Sequence, residues 1–450
     1  MANTFGVSGL RGEANVSLTA DMVYGFGRFL GWYVRSMCGH DPRAVIGKDT
    51  RRSSDMLESA ICAGLMASGC DVYSMHVTTT PSVSYITKAD GFDCGVMITA
   101  SHNPYYDNGI KVVSPDGEPM GDGIFARFES YVNADMEGIP YADRNHIGKM
   151  VDYSQGRENY IRHLLSVPTE SLKGLRIGID CANGASSTIA HRVFDALDCE
   201  VMYVNDAPDG FNINRGCGSA HLEVIRSLVL ENHLDAGFSL DGDADRCMAV
   251  DAAGNEVTGD HFNLIYARYL KARGRLANNL VVGTVVSNMG LWKALEKEGI
   301  DHMATGVGEP LVRKCMVEHG CIIGGEQCGH MVFAEHSSTG DGIITTLKML
   351  GVMADEKKSL GELASALTMY PQVQVSLRVT DKKAASSDPE VLAVVRRITE
   401  QLGDAGRVLM RHSDTESLIR IMVESEDEAL CRRYADEIAS VVRSRGFEAV

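Results

Sequence analysis

Three aspartates at alternate positions, Asp241, Asp243 and Asp245, give the sequence its most specific chemical signal. They follow the apolar run 236–240, which predicts a loop directly after a strand. Alternate residues of an extended loop share one face, so the carboxylates can converge. Such close carboxylates repel unless a cation lies between them, and oxygen ligands suit Mg²⁺ or Ca²⁺. The alternatives are a solvated acidic turn and a calcium EF-hand loop, which fails because Arg246 stands where that loop requires glycine.

Ser101 is the second candidate. It lies between the apolar runs 94–98 and 110–113, which predicts a strand, an exposed loop and a second strand. Its hydroxyl would then lie at the mouth of a sheet, where α/β proteins usually carry out their chemistry. The alternative is a loop serine that hydrogen-bonds its own backbone. We expect His102 to be poorly placed as its base, because neighbouring side chains in an extended loop diverge.

Basic residues stand near both features. Lys111 follows an Asn-Gly pair at 108–109, for which we predict a turn, and its ammonium could reach the surroundings of the serine. Arg11 and the segment 48–51 each supply basic groups beside glycine or hydroxyl residues. Alone, either segment is equally consistent with a surface turn.

Two further loops have suggestive residue types. In GGEQCGH at 324–330, glycines would let a ligand approach the backbone, and Glu326 and His330 could bind sugar hydroxyls or move protons. The alternative is a glycine-rich hairpin. In the C-terminal loop, Arg411 and the hydroxyls after it could cradle a phosphate, although Asp414 would oppose the phosphate charge.

Strand-like and helix-like runs alternate along most of the chain, which predicts α/β architecture. Near residue 370 the pattern changes to strand, helix, strand, helix, which predicts a small α+β domain. We therefore expect three α/β domains with mixed sheets and a small C-terminal α+β domain. The predicted boundaries are 1–150, 151–255, 256–368 and 369–450. Within the second of these, we predict one continuous helix at 186–197.

Composition narrows the class of protein. The 450 residues, 44% hydrophobic and 23% charged, are typical of a soluble globular protein. A net charge of −17 argues against binding to nucleic acid or to an anionic membrane. The chain shows neither a secretory signal nor an apolar run long enough to span a bilayer. Its 12 cysteines form no C-x-x-C pair, so we expect reduced thiols and a cytoplasmic location.

The ordered set of serine loop, triple-aspartate loop, Gly-Glu-x-x-Gly-His loop and C-terminal Arg-x-Ser loop resembles the α-D-phosphohexomutase superfamily over essentially the whole chain. The segments SHNPYYDNGIK (101–111), DCANGA (180–185) and SNMG (287–290) are most similar to phosphoglucosamine mutases. The resemblance implies a central cleft where four domains meet. The domains would carry, in order, the phosphoserine loop, the metal-binding loop, the sugar-recognition loop and a phosphate-binding loop.

The resemblance also implies roles for individual residues. Ser101 would carry a phosphoryl group, and its phosphate would join the three aspartates in holding one Mg²⁺. Lys111 and His330 would be the general acid and base, with Arg11 and His102 assisting at the serine. The substrate would be a phosphosugar, bound by Glu326, Cys328, Arg246, Arg411, Ser413, Thr415 and Arg420.

Four departures from the family pattern affect substrate recognition rather than the serine and metal loops. Val7 replaces a hydroxyl residue, and Cys328 stands where serine is usual. GEPL at 308–311 stands where Gly-Asp-Arg-Tyr is expected. In the C-terminal loop, the residues that replace Pro, Gly and Pro are His412, Asp414 and Ser417.

The leading hypothesis is therefore a Mg²⁺-dependent mutase that interconverts glucosamine 6-phosphate and glucosamine 1-phosphate through a sugar 1,6-bisphosphate. A sugar bisphosphate or a kinase would prime the serine, and the protein would be a monomer or homodimer. One alternative is a phosphomannomutase or phosphoglucomutase of the same mechanism. Others are a non-catalytic phosphosugar-binding protein and a simple Mg²⁺ phosphatase.

Overall fold

Four separate β-sheets organise the part of the chain described by the computed structural model, namely residues 5–6, 9–121, 123–133, 138–412 and 417–449. Three sheets mix parallel and antiparallel strands and carry helices, and the fourth is small and antiparallel. The predicted fold class is thus confirmed. Among the described residues, no helix is long and apolar enough to cross a membrane.

The first sheet contains the serine loop. Its strands are β1 (Phe5–Gly6), β2 (Gly9–Glu13), β3 (Arg43–Lys48), β4 (Asp71–Val77), β5 (Cys94–Ile98), β6 (Asp107–Val113) and β7 (Met150–Asp152), in the spatial order β1-β2-β6-β5-β3-β4-β7. The helices of this region are α1 (Ala20–Cys38), α2 (Ser54–Ala67), α3 (Thr80–Ala89), α4 (Gly123–Asn133) and α5 (Ser154–Leu165). Strands β3 and β5 run parallel, so their carboxyl ends meet at one edge.

The predicted Asn-Gly turn at 108–109 is wrong, because both residues lie inside β6. Glycine is needed at position 109 for a different reason. A Cβ there would lie 2.7 Å from the carbonyl oxygens of Leu10 and Thr99. The residue type therefore reflects the close approach of two neighbouring backbones rather than a turn.

The second sheet contains the aspartate loop. Its strands are β8 (Arg176–Asp180), β9 (Glu200–Val204), β10 (Ala236–Leu240), β11 (Cys247–Asp251) and β12 (Glu256–Val257), in the order β12-β11-β10-β8-β9. Its helices are α6 (Ala190–Phe194) and α7 (Glu223–Asn232). The single helix predicted at 186–197 is wrong: a 3₁₀ turn at Ala185–Thr188 precedes α6. There, Ser186, Ser187 and Thr188 donate to backbone carbonyls and compete with α-helix formation.

The third sheet has strands β13 (Leu280–Thr284), β14 (Asp301–Thr305), β15 (Ile323–Gly325) and β16 (Met331–Phe333), in the order β14-β13-β15-β16. The helices of this stretch are α8 (Gly259–Ala272), α9 (Met289–Lys297), α10 (Glu309–Glu318), α11 (Gly342–Glu356) and α12 (Leu360–Ala364). The glycine-rich loop begins at the end of β15 and leads into β16, its antiparallel neighbour.

The chain forms two compact units. The first comprises Met1–Val285 and Ile300–Ala366 and includes the three mixed sheets. The second comprises Val286–Gly299 and Leu367–Val450. It contains α9 and the strands β17 (Gln372–Arg378), β18 (Gly406–His412) and β19 (Leu418–Ser425), in the order β17-β19-β18. Its other helices are α13 (Lys382–Ser387), α14 (Pro389–Leu402) and α15 (Glu428–Ser444).

Candidate active site

Ser101 lies just after the carboxyl end of β5, where the chain leaves the sheet. Its backbone is left-handed, with φ at 52°, which is uncommon for a residue other than glycine. Its N–H donates to Thr99 Oγ1 at 2.9 Å, and its hydroxyl donates to Asp241 Oδ2 at 2.7 Å. The side chain is buried. The hydroxyl therefore points into the acidic cluster, which excludes the alternative of a serine bonded only to its own backbone.

The left-handed backbone also changes the position of the next side chain. His102 Nδ1 lies 3.4 Å from Ser101 Oγ, so the expectation that the two side chains diverge is wrong. That expectation assumed an extended loop, whereas the chain turns at the serine. Partial burial, together with the guanidinium groups of Arg246 and Arg11, lowers the pKa of His102 to about 4. At neutral pH the histidine is an uncharged neighbour of the hydroxyl.

Arg51, treated above as part of a possible surface turn, is a buried clamp on the serine loop. Its Nε donates to Asp49 Oδ2 at 2.8 Å, and both side chains are inaccessible to solvent. Its Nη2 donates to the carbonyl oxygens of Ser101 and Asn103 at 2.8 and 2.9 Å. Its Nη1 donates to two more carbonyls of the loop, those of residues 104 and 107. The guanidinium thus fixes four points of the loop that presents the serine.

The three aspartates converge after β10. Each offers a carboxylate oxygen, and the three oxygens lie within 4.8 Å of one another. The loop is not extended as the sequence argument assumed, because Ala244 adopts a left-handed conformation with φ at 58°. The Thr80 N–H, at the start of α3, donates to the Asp243 carbonyl at 3.0 Å, and its Oγ1 donates to Asp243 Oδ2 at 2.5 Å. A helix of the first sheet therefore holds the acidic loop of the second.

Gly242 allows the acidic loop and the serine loop to touch. A Cβ at this position would lie 2.6 Å from the Ser101 carbonyl oxygen and 2.9 Å from Asn214 Nδ2. The same Asn214 amide donates to that carbonyl at 2.8 Å. Any side chain at position 242 would force the two loops apart.

Lys111 extends from β6 into the acidic cluster. Its Nζ lies 2.7 Å from Asp243 Oδ2 and 2.8 Å from Asp245 Oδ2. Burial lowers the pKa of Lys111, but the two carboxylates outweigh burial and hold the pKa above its ordinary value. The lysine therefore stays an ammonium and neutralises part of the acidic charge.

His330 lies between two carboxylates. Its Nδ1 is 3.6 Å from Asp245 Oδ1, and its Nε2 is 3.2 Å from Glu309 Oε2. Burial lowers the pKa of His330, whereas Glu309 and Asp245 raise it well above the ordinary value. Glu309 was noted in the sequence only as part of a departure from the family pattern. Its structural role could not be recognised because its partners are distant in sequence.

One cavity of about 380 Å³ collects most of the candidate residues. Glu326 is buried and accepts the Gly308 N–H on Oε1 at 3.0 Å, which leaves its other oxygen for a ligand. Cys328 lies exposed at the cavity wall. The candidate residues that line this cavity are Arg11, Ser101, Lys111, Asp245, Arg246, Glu326, Cys328 and His330.

The predicted phosphate loop belongs to the second unit. Arg411 on β18 is paired directly with Arg420 on β19 in the antiparallel register. Two guanidinium groups at facing positions create a local positive charge, which suits an anion. Ser413 and Thr415, and the departure at Asp414, lie outside the described residues, as does Val7.

The acidic cluster suits a hard divalent cation. Asp243 Oδ1 and Asp245 Oδ1 are buried and have no hydrogen-bond partner among the residues that the structure describes. The pKa of Asp241 is raised to about 8, mainly by burial and to a smaller extent by the charges of Asp245 and Asp243. A cation beside these buried carboxylates would offset their mutual repulsion and stabilise their charged forms. The donor set, carboxylate oxygens beside a serine oxygen, is that preferred by Mg²⁺.

Comparison with known proteins gives consistent matches along the whole chain. The family described as phosphoglucomutase/phosphomannomutase matches in four parts: α/β/α domain I at 2–137, domain II at 158–254, domain III at 258–370 and the C-terminal domain at 375–441.

Two curated relatives are phosphoglucosamine mutases. That of Lachnospira eligens is 50% identical over 450 residues and covers 99% of this chain and 100% of the relative. That of Lachnoclostridium phytofermentans is 48% identical over 446 residues and covers 99% of each. The crystal structure of a phosphoglucomutase/phosphomannomutase family protein from Burkholderia thailandensis has a TM-score of 0.83 at 22% identity, covering 99% of this chain and 98% of that one.

Proposed function

The chain belongs to the phosphoglucomutase/phosphomannomutase family, and we propose that it interconverts glucosamine 6-phosphate and glucosamine 1-phosphate with Ser101 as the phosphoryl carrier. The observation that supports this most is the 2.7 Å hydrogen bond from the serine hydroxyl to Asp241. This bond supports the proposal because the oxygen that would carry the phosphoryl group lies directly at the acidic cluster. Phosphoryl transfer depends on positioning and charge neutralisation, and this arrangement provides for both.

Asp241, Asp243 and Asp245 would hold one Mg²⁺, with the serine phosphate as a further ligand. The ion would supply charge neutralisation for the phosphoryl group. Lys111 already pairs with Asp243 and Asp245 through their Oδ2 atoms. Asp243 Oδ1 therefore remains for the metal, whereas Asp245 Oδ1 would be shared between the metal and His330, whose Nδ1 lies 3.6 Å away. The lysine also limits the repulsion among the three carboxylates.

The reaction would proceed in two transfers. In the first, the bond between Ser101 Oγ and phosphorus breaks, and a bond from phosphorus to the sugar O1 forms, giving the 1,6-bisphosphate. After the intermediate reorients in the cavity, the bond between phosphorus and the sugar O6 breaks and the phosphoserine forms again. The product is the 1-phosphate, and no phosphate is gained or lost.

Lys111 and His330 would carry the protons of these steps. One accepts the proton of the attacking hydroxyl, and the other donates a proton to the departing oxygen, so the site keeps the same number of protons. Carboxylates raise the pKa of both groups, which suits the group that donates to the departing oxygen. The group that accepts the proton of the attacking hydroxyl would have to enter the step as the free base. Arg11 and Arg246 line the same cavity and would neutralise the phosphoryl oxygens, and His102 would remain an uncharged neighbour of the serine.

Glu326 and Cys328 would bind the sugar hydroxyls, since both line the cavity. Arg411 and Arg420, with Ser413 and Thr415, would bind the phosphate that is not being transferred. We also propose that the protein is a monomer or homodimer in the cytoplasm. A sugar bisphosphate or a kinase would first phosphorylate Ser101. Sedimentation of the purified protein and its intact mass before and after priming test these last points.

A second candidate is a phosphomannomutase or phosphoglucomutase of the same mechanism. The observation that favours it is Cys328, a weaker hydrogen-bonding group than a serine at a wall of the sugar cavity. The thiol would bind a sugar hydroxyl at that wall more weakly than a serine would.

The deciding experiment compares mutase rates on the 6-phosphates of glucosamine, mannose and glucose, with Mg²⁺ and catalytic sugar bisphosphate. We expect the highest kcat/KM for the amino sugar. A higher value for a neutral sugar would favour the second candidate. Steady release of inorganic phosphate without isomerisation would indicate a phosphatase instead. Ser101→Ala should abolish turnover and the phosphorylated mass; if both persist, another residue carries the phosphoryl group.

A further inference from the structure

A second cavity, of about 330 Å³, lies in the first unit and shares no lining residue with the catalytic cavity. Helices α8 and α11 form two of its walls, and the chain at 166–169 and the turn after β16 form the others. Val167, Leu347 and Val352 line it with apolar side chains, and the ring of Tyr266 provides a flat aromatic surface. A cavity of this size accommodates a small organic molecule.

The cavity contains one incompletely compensated cation, Lys348 of α11. Its ammonium lies 5.5 Å from the centre of the Tyr266 ring, within cation–π distance. Within the described part of the chain, it makes no hydrogen bond or ion pair. Burial lowers the pKa of Lys348 to about 8, with Glu335 opposing the change. The group is therefore largely charged at neutral pH but poorly solvated.

The other charged groups at the cavity leave this charge in excess. Arg275 and Glu335 form an exposed ion pair, with Nη2 3.4 Å from Oε1, and compensate each other. His336 is uncharged at neutral pH, because burial and the Lys348 charge lower its pKa to about 4. The sum is one positive charge beside an aromatic and apolar surface.

A second polar group faces the same space. Tyr266 is 4% exposed, and its hydroxyl has no hydrogen-bond partner among the described residues. A tyrosine carries a polar hydroxyl on an apolar ring, so this hydroxyl can donate to a ligand in the cavity. The ammonium and the hydroxyl together provide two donors for one acidic group.

We propose that this cavity is a binding site for a small organic carboxylate with an apolar or aromatic body. The carboxylate pairs with the Lys348 ammonium, and the body packs on Tyr266 and the aliphatic residues of α11. The site is separate from the phosphosugar site and binds independently of the chemistry at Ser101.

Benzoate is a suitable probe, with uncharged benzamide as its isosteric control. Calorimetric titration of the full-length protein should give a Kd for benzoate on the order of 1 mM, and binding of benzamide about tenfold weaker. In methyl NMR spectra, benzoate should shift Leu347 and Val352, whereas Val112 and Val113 of the catalytic cavity should stay unchanged. Equal affinity for the two probes, shifts only at the catalytic valines, or no binding of benzoate would each overturn the proposal.

Variants test the charge directly. Lys348→Met should weaken benzoate binding at least about tenfold and leave benzamide binding unchanged, whereas Lys348→Arg should retain most of the affinity. Lys314→Met, at an exposed lysine of α10, is the matched control and should have no effect. Undiminished benzoate binding by Lys348→Met would also refute the proposal. Removal of a partly buried ammonium that makes no ion pair with the described residues should not lower the melting temperature, so thermal unfolding checks that the variant is folded.

Discussion

Replacement of Arg51 by lysine tests whether the buried guanidinium positions the serine. The side chain donates to Asp49 and to four carbonyl oxygens of the serine loop. A guanidinium carries five N–H donors in a planar fork, whereas an ammonium has three donors on a single nitrogen. Lysine keeps the charge near Asp49 but loses at least two of these five contacts, although Asn214 still donates to the carbonyls of Ser101 and Asn103.

The size of the effect follows from the burial of the site. A hydrogen bond from a charged group contributes about 1.5–3 kcal/mol, so two lost contacts should cost about 3 kcal/mol. If this loss of free energy makes local opening of the loop easier, amide hydrogen exchange in the loop should accelerate by about 100-fold. Displacement of the reacting oxygen by about 1 Å should also lower kcat by about 100-fold.

Hydrogen exchange measured by mass spectrometry on peptides covering 99–108 provides the assay, together with kcat for the mutase reaction. Arg52→Lys is the matched control, because Arg52 is the adjacent arginine and is exposed. It should change neither quantity. If the Arg51→Lys loop exchanges within about threefold of the wild-type rate, the guanidinium does not hold the loop and the reasoning is refuted.

Three further predictions concern the charges and packing of the site. Glu309→Gln should lower the pKa of His330, measured by NMR titration, because it removes one of two facing carboxylates. Glu318→Gln on the same helix should leave that pKa unchanged. Mg²⁺ affinity should rise up to about tenfold per pH unit towards pH 8 and then level off, because the raised pKa of Asp241 means that a proton must leave first; calorimetric affinities that stay flat with pH contradict this. Gly242→Ala should lower kcat in the mutase assay, since its Cβ would separate the serine loop from the acidic loop, and should change the melting temperature little. Wild-type kcat would show that the two loops adjust.

Local patterns were sufficient for much of the fold and for the acidic cluster. The apolar run at 94–98 forms a strand in which all five residues are buried, as expected inside a sheet. The aspartates 241, 243 and 245 converge although Ala244 turns the loop, because three carboxylates so close in sequence stay close in most compact loops. In both cases the determining contacts lie within a few residues.

Contacts between distant segments could not be predicted in this way. Arg51 reads as part of a polar turn, yet it is buried because its acceptors lie about 50 residues away, on the loop at 101–107. Glu309 and His330 pair across 21 positions, and a single sequence does not indicate which histidine a given glutamate will face. Gly109 shows the converse error, because a strong local turn signal was overruled by the backbones packed on either side.

The site also resolves an apparent electrostatic conflict between the chain and its proposed substrate. A protein of net charge −17 should repel a phosphosugar, yet charges beyond about 10 Å are largely screened at moderate salt. The cavity lining has a different balance. Its cations are Arg11, Arg246, Lys111 and protonated His330, and its carboxylates are Asp245, Glu309 and Glu326. Asp243 and Asp245, which would bind the metal, hold Lys111 as a cation, and Glu309 together with Asp245 does the same for His330. The acidic cluster therefore does not simply oppose the substrate, because its negative charge keeps protonated the groups that face the phosphate.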